Sequence, residues 1–177
     1  RFGARAARVQ AAPDGLQGAG GGVELVGYRR EHVETYHGWM EDEELREETC
    51  SERLSLEEEF EMQASWERDT DKVTFMVTDA DTKEMVGDIN LFLYEEDEPH
   101  EAEINVMIAD RSRRRGGLGG AAVRLIMGYG WHRFGARKFV AKIGAGNQAS
   151  LGLFGKLGFK EEKFSEAFQQ HTLVLHP

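Results

Sequence analysis

Residues 104 to 120 constrain the fold of this chain more than any other stretch. They read Ile-Asn-Val-Met-Ile-Ala-Asp-Arg-Ser-Arg-Arg-Arg-Gly-Gly-Leu-Gly-Gly. Ala102, Ile104, Val106 and Ile108 form an alternating apolar run, the pattern of a half-buried strand. A basic turn and a glycine cluster follow. Leu118, Ala121, Ala122, Leu125, Ile126 and Tyr129 then recur at helical spacing, which predicts a helix laid against a sheet. The first N–H groups of a helix have no internal partners. Glycines let an anion approach them closely, and Arg113, Arg114 and Arg115 suit phosphate oxygens. The alternative is a solvated basic turn.

The 177 residues are enough for one domain with a substantial core. No apolar run reaches the roughly 18 residues of a membrane helix, so no membrane partner is expected. One cysteine, Cys50, excludes an internal disulfide and fits a cytoplasmic protein. The net charge of −10 argues against nucleic acid, but it is unevenly placed. From Arg111 to Lys160 there is no Asp or Glu, while most of the acid lies between Glu24 and Asp110. One half suits an anionic ligand, and Glu41 to Glu48 with Glu95 to Glu98 suit a basic acceptor or form a solvated face. The histidines show no metal-ligand spacing, and no metal is expected.

Residues 1–22, rich in Ala, Gly and Arg, read as a flexible extension, and residues 23–177 as the domain. An Arg-rich, acid-poor start is also compatible with a transit remnant. Val23 to Val26 reads as a strand, and Glu31 to Trp39 and Glu43 to Glu48 as short helices. Ser55 with Glu58 is a capping box opening a helix that turns Leu56, Phe60 and Ala64 inward. Lys72 to Thr78, Met85 to Leu93 and Glu101 to Ala109 form an antiparallel meander. The glycine-led helix runs to about Phe134, followed by a strand from Lys138 to Ile143. Asn147 caps a short helix that Gly158 ends, and two strands close the chain. The fold class is α+β, a mixed sheet with flanking helices.

A Walker loop needs Lys-Ser/Thr after its last glycine, and here Gly120-Ala121-Ala122 follows. Gly117-Leu118-Gly119-Gly120-Ala121-Ala122 matches the dinucleotide G-x-G-x-x-A pattern, but the acid wanted about 20 residues on is missing, the next being Glu161. Arg114-Arg115-Gly116-Gly117-Leu118-Gly119 resembles the R/Q-x-x-G-x-G/A loop of the GNAT N-acetyltransferase superfamily. Asn147-Gln148-Ala149-Ser150, Phe154 and Leu157-Gly158-Phe159 resemble that superfamily's downstream N-x-x-S-x-x-x-F-x-x-L-G-F motif. Residues 85–93, 103–109 and 141–144 are similar to signature strands of its N-acetyltransferase 9-like branch.

The resemblance implies a mostly antiparallel sheet, splayed where acetyl-CoA binds as cosubstrate, and direct acetyl transfer to an amine. It implies backbone pairing of pantetheine near Met107 and Ile108, and diphosphate at Arg113, Arg114, Arg115, Gly116, Gly117, Leu118 and Gly119. Asn147, Ser150 and Phe154 complete the implied cofactor site. Glu103 takes the position of a general base, with Glu101 on its face. Phe154 stands where many members carry a tyrosine that protonates the leaving thiolate, so Ser150 or water is left for that role. The implied acceptor is a protein or peptide amine, basic or cytoskeletal. The rival is a catalytically weak acetyl-CoA-binding protein.

Overall fold

The computed structural model describes residues 15–17, 22–94 and 100–177. The described strands are β1 (Leu16–Gln17), β2 (Val23–Gly27), β3 (Lys72–Asp79), β4 (Met85–Leu93), β5 (Glu101–Ile108), β6 (Lys138–Gly144), β7 (Lys160–Ser165) and β8 (Gln170–Leu175). The helices are α1 (Val33–Met40), α2 (Glu43–Thr49), α3 (Leu56–Trp66), α4 (Leu118–Phe134) and α5 (Gln148–Lys156). The strands form one sheet in the order β1-β2-β3-β4-β5-β6-β8-β7. Every pair is antiparallel except β5 with β6, which α4 joins as a crossover. No helix of the described residues is long and apolar enough to cross a membrane.

The period of two along the strands sorts side chains onto two faces. Phe75, Val77, Ile89, Leu91 and Ile104 face α4 and pack with Ala122 and Ile126. Met76 and Met107 face the opposite way and pack with Tyr28, Val33, Tyr36 and Met40 under α1 and α2. Asp88, Glu101 and Glu103 share this second face. The helix caps follow the sequence closely. Ser55 Oγ accepts from the Glu58 N–H at 3.2 Å, and Glu58 Oε2 accepts from the Ser55 N–H at 2.7 Å. Gly158 takes the left-handed conformation, φ +96°, that ends α5.

Two readings need correction. Leu16–Gln17, assigned by sequence to the loose extension, pairs with β2 as β1. Residues 1–14 and 18–21, and Glu95 to Glu98, lie outside the described residues. The inward face of α3 carries Glu59 and Gln63 (1% and 3% exposed), whereas Leu56 is 39% exposed. Polar partners turn the helix this way. Gln63 Nε2 donates to the Tyr28 carbonyl at 3.3 Å, and Glu59 Oε1 lies 4.0 Å from His37 Nδ1.

Candidate active site

β5 is drawn tightly around the start of β4 before the glycine loop. The Ala109 and Asp110 N–H groups both reach the Val86 carbonyl, at 2.9 and 3.5 Å. Gly87 lies directly beneath the Met107 carbonyl, so close that a Cβ there would sit 1.9 Å from that oxygen. The chain then turns through Arg115 (φ +66°) and Gly117 (φ +86°) into α4. The first bond of that helix runs from the Ala121 N–H to the Gly117 carbonyl at 3.0 Å. The N–H groups of Arg115 through Gly120 therefore have no hydrogen-bond partner among the described residues. Helices α2, α3 and α5 begin with a capping side chain, from Asp42, Ser55 and Asn147. Helix α4 has neither a capping side chain nor an acid in its first turn. The helix dipole and the row of amides favour a bound anion there.

Arg113, Arg114 and Arg115, all read from the sequence as phosphate contacts, stand in different surroundings. Arg113 pairs with Asp79 in the β3–β4 turn. Arg114 is forked onto Glu48 of α2 at 3.3 and 2.9 Å, and its Nε donates to the Ile108 carbonyl at 2.9 Å. Arg111 reaches Asp42 at 2.9 Å and Glu44 at 2.7 Å. These side chains staple the loop to its neighbours, holding its left-handed residues in place. Among the described residues Arg115 makes no ion pair, and it is exposed. The same contacts correct the acidic stretch from Glu41 to Glu48. Asp42, Glu44 and Glu48 neutralise the loop, and Glu41 pairs with Arg53 at 2.6 Å.

The strands beside the loop separate as the resemblance implied. β5 and β6 are in register only at Glu101–Lys138, Ala102–Phe139 and Glu103–Val140. From Ile104 to Ile108, β5 keeps β4 on one side and has no strand on the other. The open side leads from Glu103 towards the free amides of α4. Met107 and Ile108 lie on this open stretch. At the vertex, Glu103 accepts from Lys142 Nζ at 2.8 Å and from the Tyr94 hydroxyl at 2.9 Å. Glu101, on the same face, pairs with Lys138 at 3.0 Å.

Helix α5 brings the downstream motif alongside α4. Asn147 Oδ1 accepts from the Ser150 N–H at 3.0 Å, so its oxygen is a helix cap. Ser150 Oγ makes no hydrogen bond among the described residues. Ser150 lies one turn before Leu153, whose side chain would be 3.2 Å from a Cβ at Gly119. Phe154 does not line the cleft. It is 2% exposed and meets Phe159 edge-on at 4.9 Å, within the core.

A buried polar line on β3 and β4 went unnoticed in the sequence. Thr74 Oγ1 donates to Asn90 Oδ1 at 2.7 Å, and Asn90 Nδ2 donates to Asp88 Oδ2 at 2.9 Å. Asn90 is in register with Asn105, which is exposed on the open part of β5, so the line reaches the second face beside the vertex. Desolvation raises the Asp88 carboxyl from 3.8 to about 6, with Asn90 and Lys72 acting the other way. A carboxyl with a raised folded-state value costs stability in full above that value, and the cost is relieved as pH falls from about 6 towards 4. Asp88→Asn is therefore expected to stabilise the fold at pH 7.5, by an amount on the order of 3 kcal/mol. The gain should shrink as pH is lowered to 5, read as the difference in denaturant midpoint between variant and parent.

The acetyltransferase (GNAT) domain profile matches residues 23–160. A mouse protein named alpha/beta-tubulin-N-acetyltransferase 9 is 50% identical over 163 residues, covering 86% of this chain and 68% of its own length. Among solved structures, spermidine N-acetyltransferase from Vibrio cholerae in complex with CoA and spermine superposes with TM-score 0.76 at 18% identity, over 88% of this chain and 95% of that one. Mycobacterium smegmatis RimJ in complex with CoA-disulfide superposes with TM-score 0.76 at 16% identity, over 92% of this chain and 85% of that one.

Proposed function

The chain belongs to the GNAT acetyltransferase family, and from that premise we propose that it passes the acetyl group of acetyl-CoA directly to an amine of a protein acceptor. The observation that carries this reading is the run of partnerless amides at the start of α4, opening onto the gap between β5 and β6. Acetyl-CoA supplies an activated acetyl thioester. The N–H groups of Gly116 to Gly119, with the Arg115 side chain, would hold its diphosphate. The free edge of β5 at Met107 and Ile108 would pair with pantetheine, and an N–H there would polarise the thioester carbonyl. Glu103, at the vertex, would take the proton that the attacking amine gives up. Phe154 has no hydroxyl with which to protonate the departing thiolate. Likeness to the mouse protein favours an acceptor of the tubulin class.

The test is incubation with acetyl-CoA and peptides from tubulin chains, with the acetylated atom located by mass spectrometry. Acetyl transfer to a peptide amine supports the reading. Transfer to polyamines alone contradicts the protein acceptor. Glu103→Gln keeps the shape and hydrogen-bonding capacity of the residue but removes the base. Its kcat is expected to fall roughly 100-fold, with acetyl-CoA affinity within about threefold of the parent, measured by steady-state kinetics and calorimetry.

A further inference from the structure

Resting on this acetyl-transfer reading, we propose that Lys142 is the acid that protonates the coenzyme A thiolate, and that Lys142 and Glu103 work as one self-resetting proton pair. The three strand-paired residues end at Glu103 on β5 and Val140 on β6. Lys142 is two residues further along β6 and so on the same face as Val140. Its ammonium reaches back across the vertex to Glu103, 2.8 Å away. The two charges thus stand on opposite arms of the gap, at the point where the arms begin to part. Lys142 is exposed, with 42% of its side chain accessible, so a group in the gap can reach it.

Among the described residues, the charged and titratable groups facing Lys142 are few. Glu103 comes from β5 and Tyr94 follows β4, its ring centroid 5.4 Å from Lys142 Nζ. Its partner in register on β8 is Thr172, which is uncharged, and beyond Thr172 on β7 stands Lys163. The next charges, Lys138 with Glu101 and Glu162, are paired with one another at 3.0 and 3.2 Å. Burial and the adjacent Glu103 push the Tyr94 phenol up to about 12, so it keeps its proton at neutral pH and donates to Glu103. The remaining nearby candidates do not fit the acid role. Phe154 has no proton to give, and Ser150 belongs to α5, which packs on the face of Ala141 and Ile143 rather than the face of Lys142.

The proton balance closes within the pair. Glu103 takes the proton from the nitrogen as the C–N bond forms. Lys142 gives a proton to sulfur as the C–S bond breaks and its electron pair moves onto sulfur. The proton on Glu103 then crosses the hydrogen bond to the Lys142 amine, which restores carboxylate and ammonium. An acceptor arriving as a neutral amine leaves no net proton behind. One arriving as an ammonium releases one proton to water before attack.

Lys142→Met and Lys142→Arg separate this role from a merely structural one. Arginine keeps the charge and the pairing with Glu103 but does not release a proton near neutral pH. The first readout needs no turnover, because the thiol of bound coenzyme A is titrated by the ultraviolet absorbance of its thiolate. With Lys142 beside sulfur, that thiol is expected to ionise at least about tenfold more readily in the parent and in Lys142→Arg than in Lys142→Met. The second readout is kinetic. Both variants are expected to lose roughly 100-fold in kcat, with KM for acetyl-CoA changed by less than about threefold. Full activity with an unchanged pH profile in Lys142→Arg would overturn the proposal, as would identical thiol titration in the parent and Lys142→Met. Loss of transfer in Tyr94→Phe with Lys142→Met unaffected would also overturn it. A parent that binds coenzyme A but acetylates nothing refutes the transfer reading, and the thiol titration then still decides whether Lys142 faces sulfur. A parent that binds no coenzyme A refutes both.

Discussion

Acetyl-CoA affinity is expected to fall by about 100-fold or more in Gly117→Asp, while the protein remains folded. Gly117 is the N-cap of α4, and a Cβ built there meets nothing within 4 Å. Aspartate tolerates the left-handed conformation of that position better than most residues, at a cost of roughly 1–2 kcal/mol. Its carboxylate can then accept from the N–H groups of Gly119 and Gly120, as Asp42 and Ser55 accept from the third N–H of α2 and α3. Gly119 is one of the donors that would hold diphosphate. The substitution competes for it and sets a repelling charge beside the rest. Two charge-assisted hydrogen bonds at about 1.5–3 kcal/mol each correspond to at least a 100-fold loss, since about 1.4 kcal/mol is tenfold. Calorimetry with acetyl-CoA checks the affinity, and a thermal melt checks the fold.

The largest effect on stability is expected at Gly87. An alanine methyl would lie 1.9 Å from the Met107 carbonyl oxygen and 3.0 Å from both the Met107 carbonyl carbon and the Ile108 Cα. All three atoms are backbone, so no side-chain rotation relieves the contact, and β4 and β5 must move apart. Gly87→Ala is expected to cost about 4 kcal/mol or more, a fall in Tm of roughly 10 °C for a chain of this size. The same contact shapes the site, because it draws β5 around Val86 just before the chain enters the anion loop. A variant that melts with the parent would mean the strands separate there at little cost.

Much of the fold was legible because its signals are local. The alternation in β3 to β5, the Ser55–Glu58 capping box, the Asn147 cap and Gly158 each lie within a few residues of the structure they direct. The glycine-led start of α4 was legible for the same reason. The strand β1 was not, since two residues carry no period. The inward face of α3 was misread because Gln63 donates to the Tyr28 carbonyl and Glu59 is buried near His37, contacts that no helical pattern contains. The Arg114–Glu48 fork joins residues 66 apart in sequence, so a cluster that reads as free charge is largely neutralised. Asp88 and Asn90 did leave a trace, as two polar residues two apart in a strand otherwise rich in apolar residues. Burial on both faces of β4 turns that trace into a buried carboxyl.

The measurement that most directly tests the anion cradle is hydrogen exchange at single amides with and without coenzyme A. The account predicts that the N–H groups of Gly116 to Gly119 exchange freely in the unliganded protein and become protected when coenzyme A binds, with protection extending to Met107 and Ile108. Unchanged exchange at those amides, with protection appearing elsewhere, would contradict it.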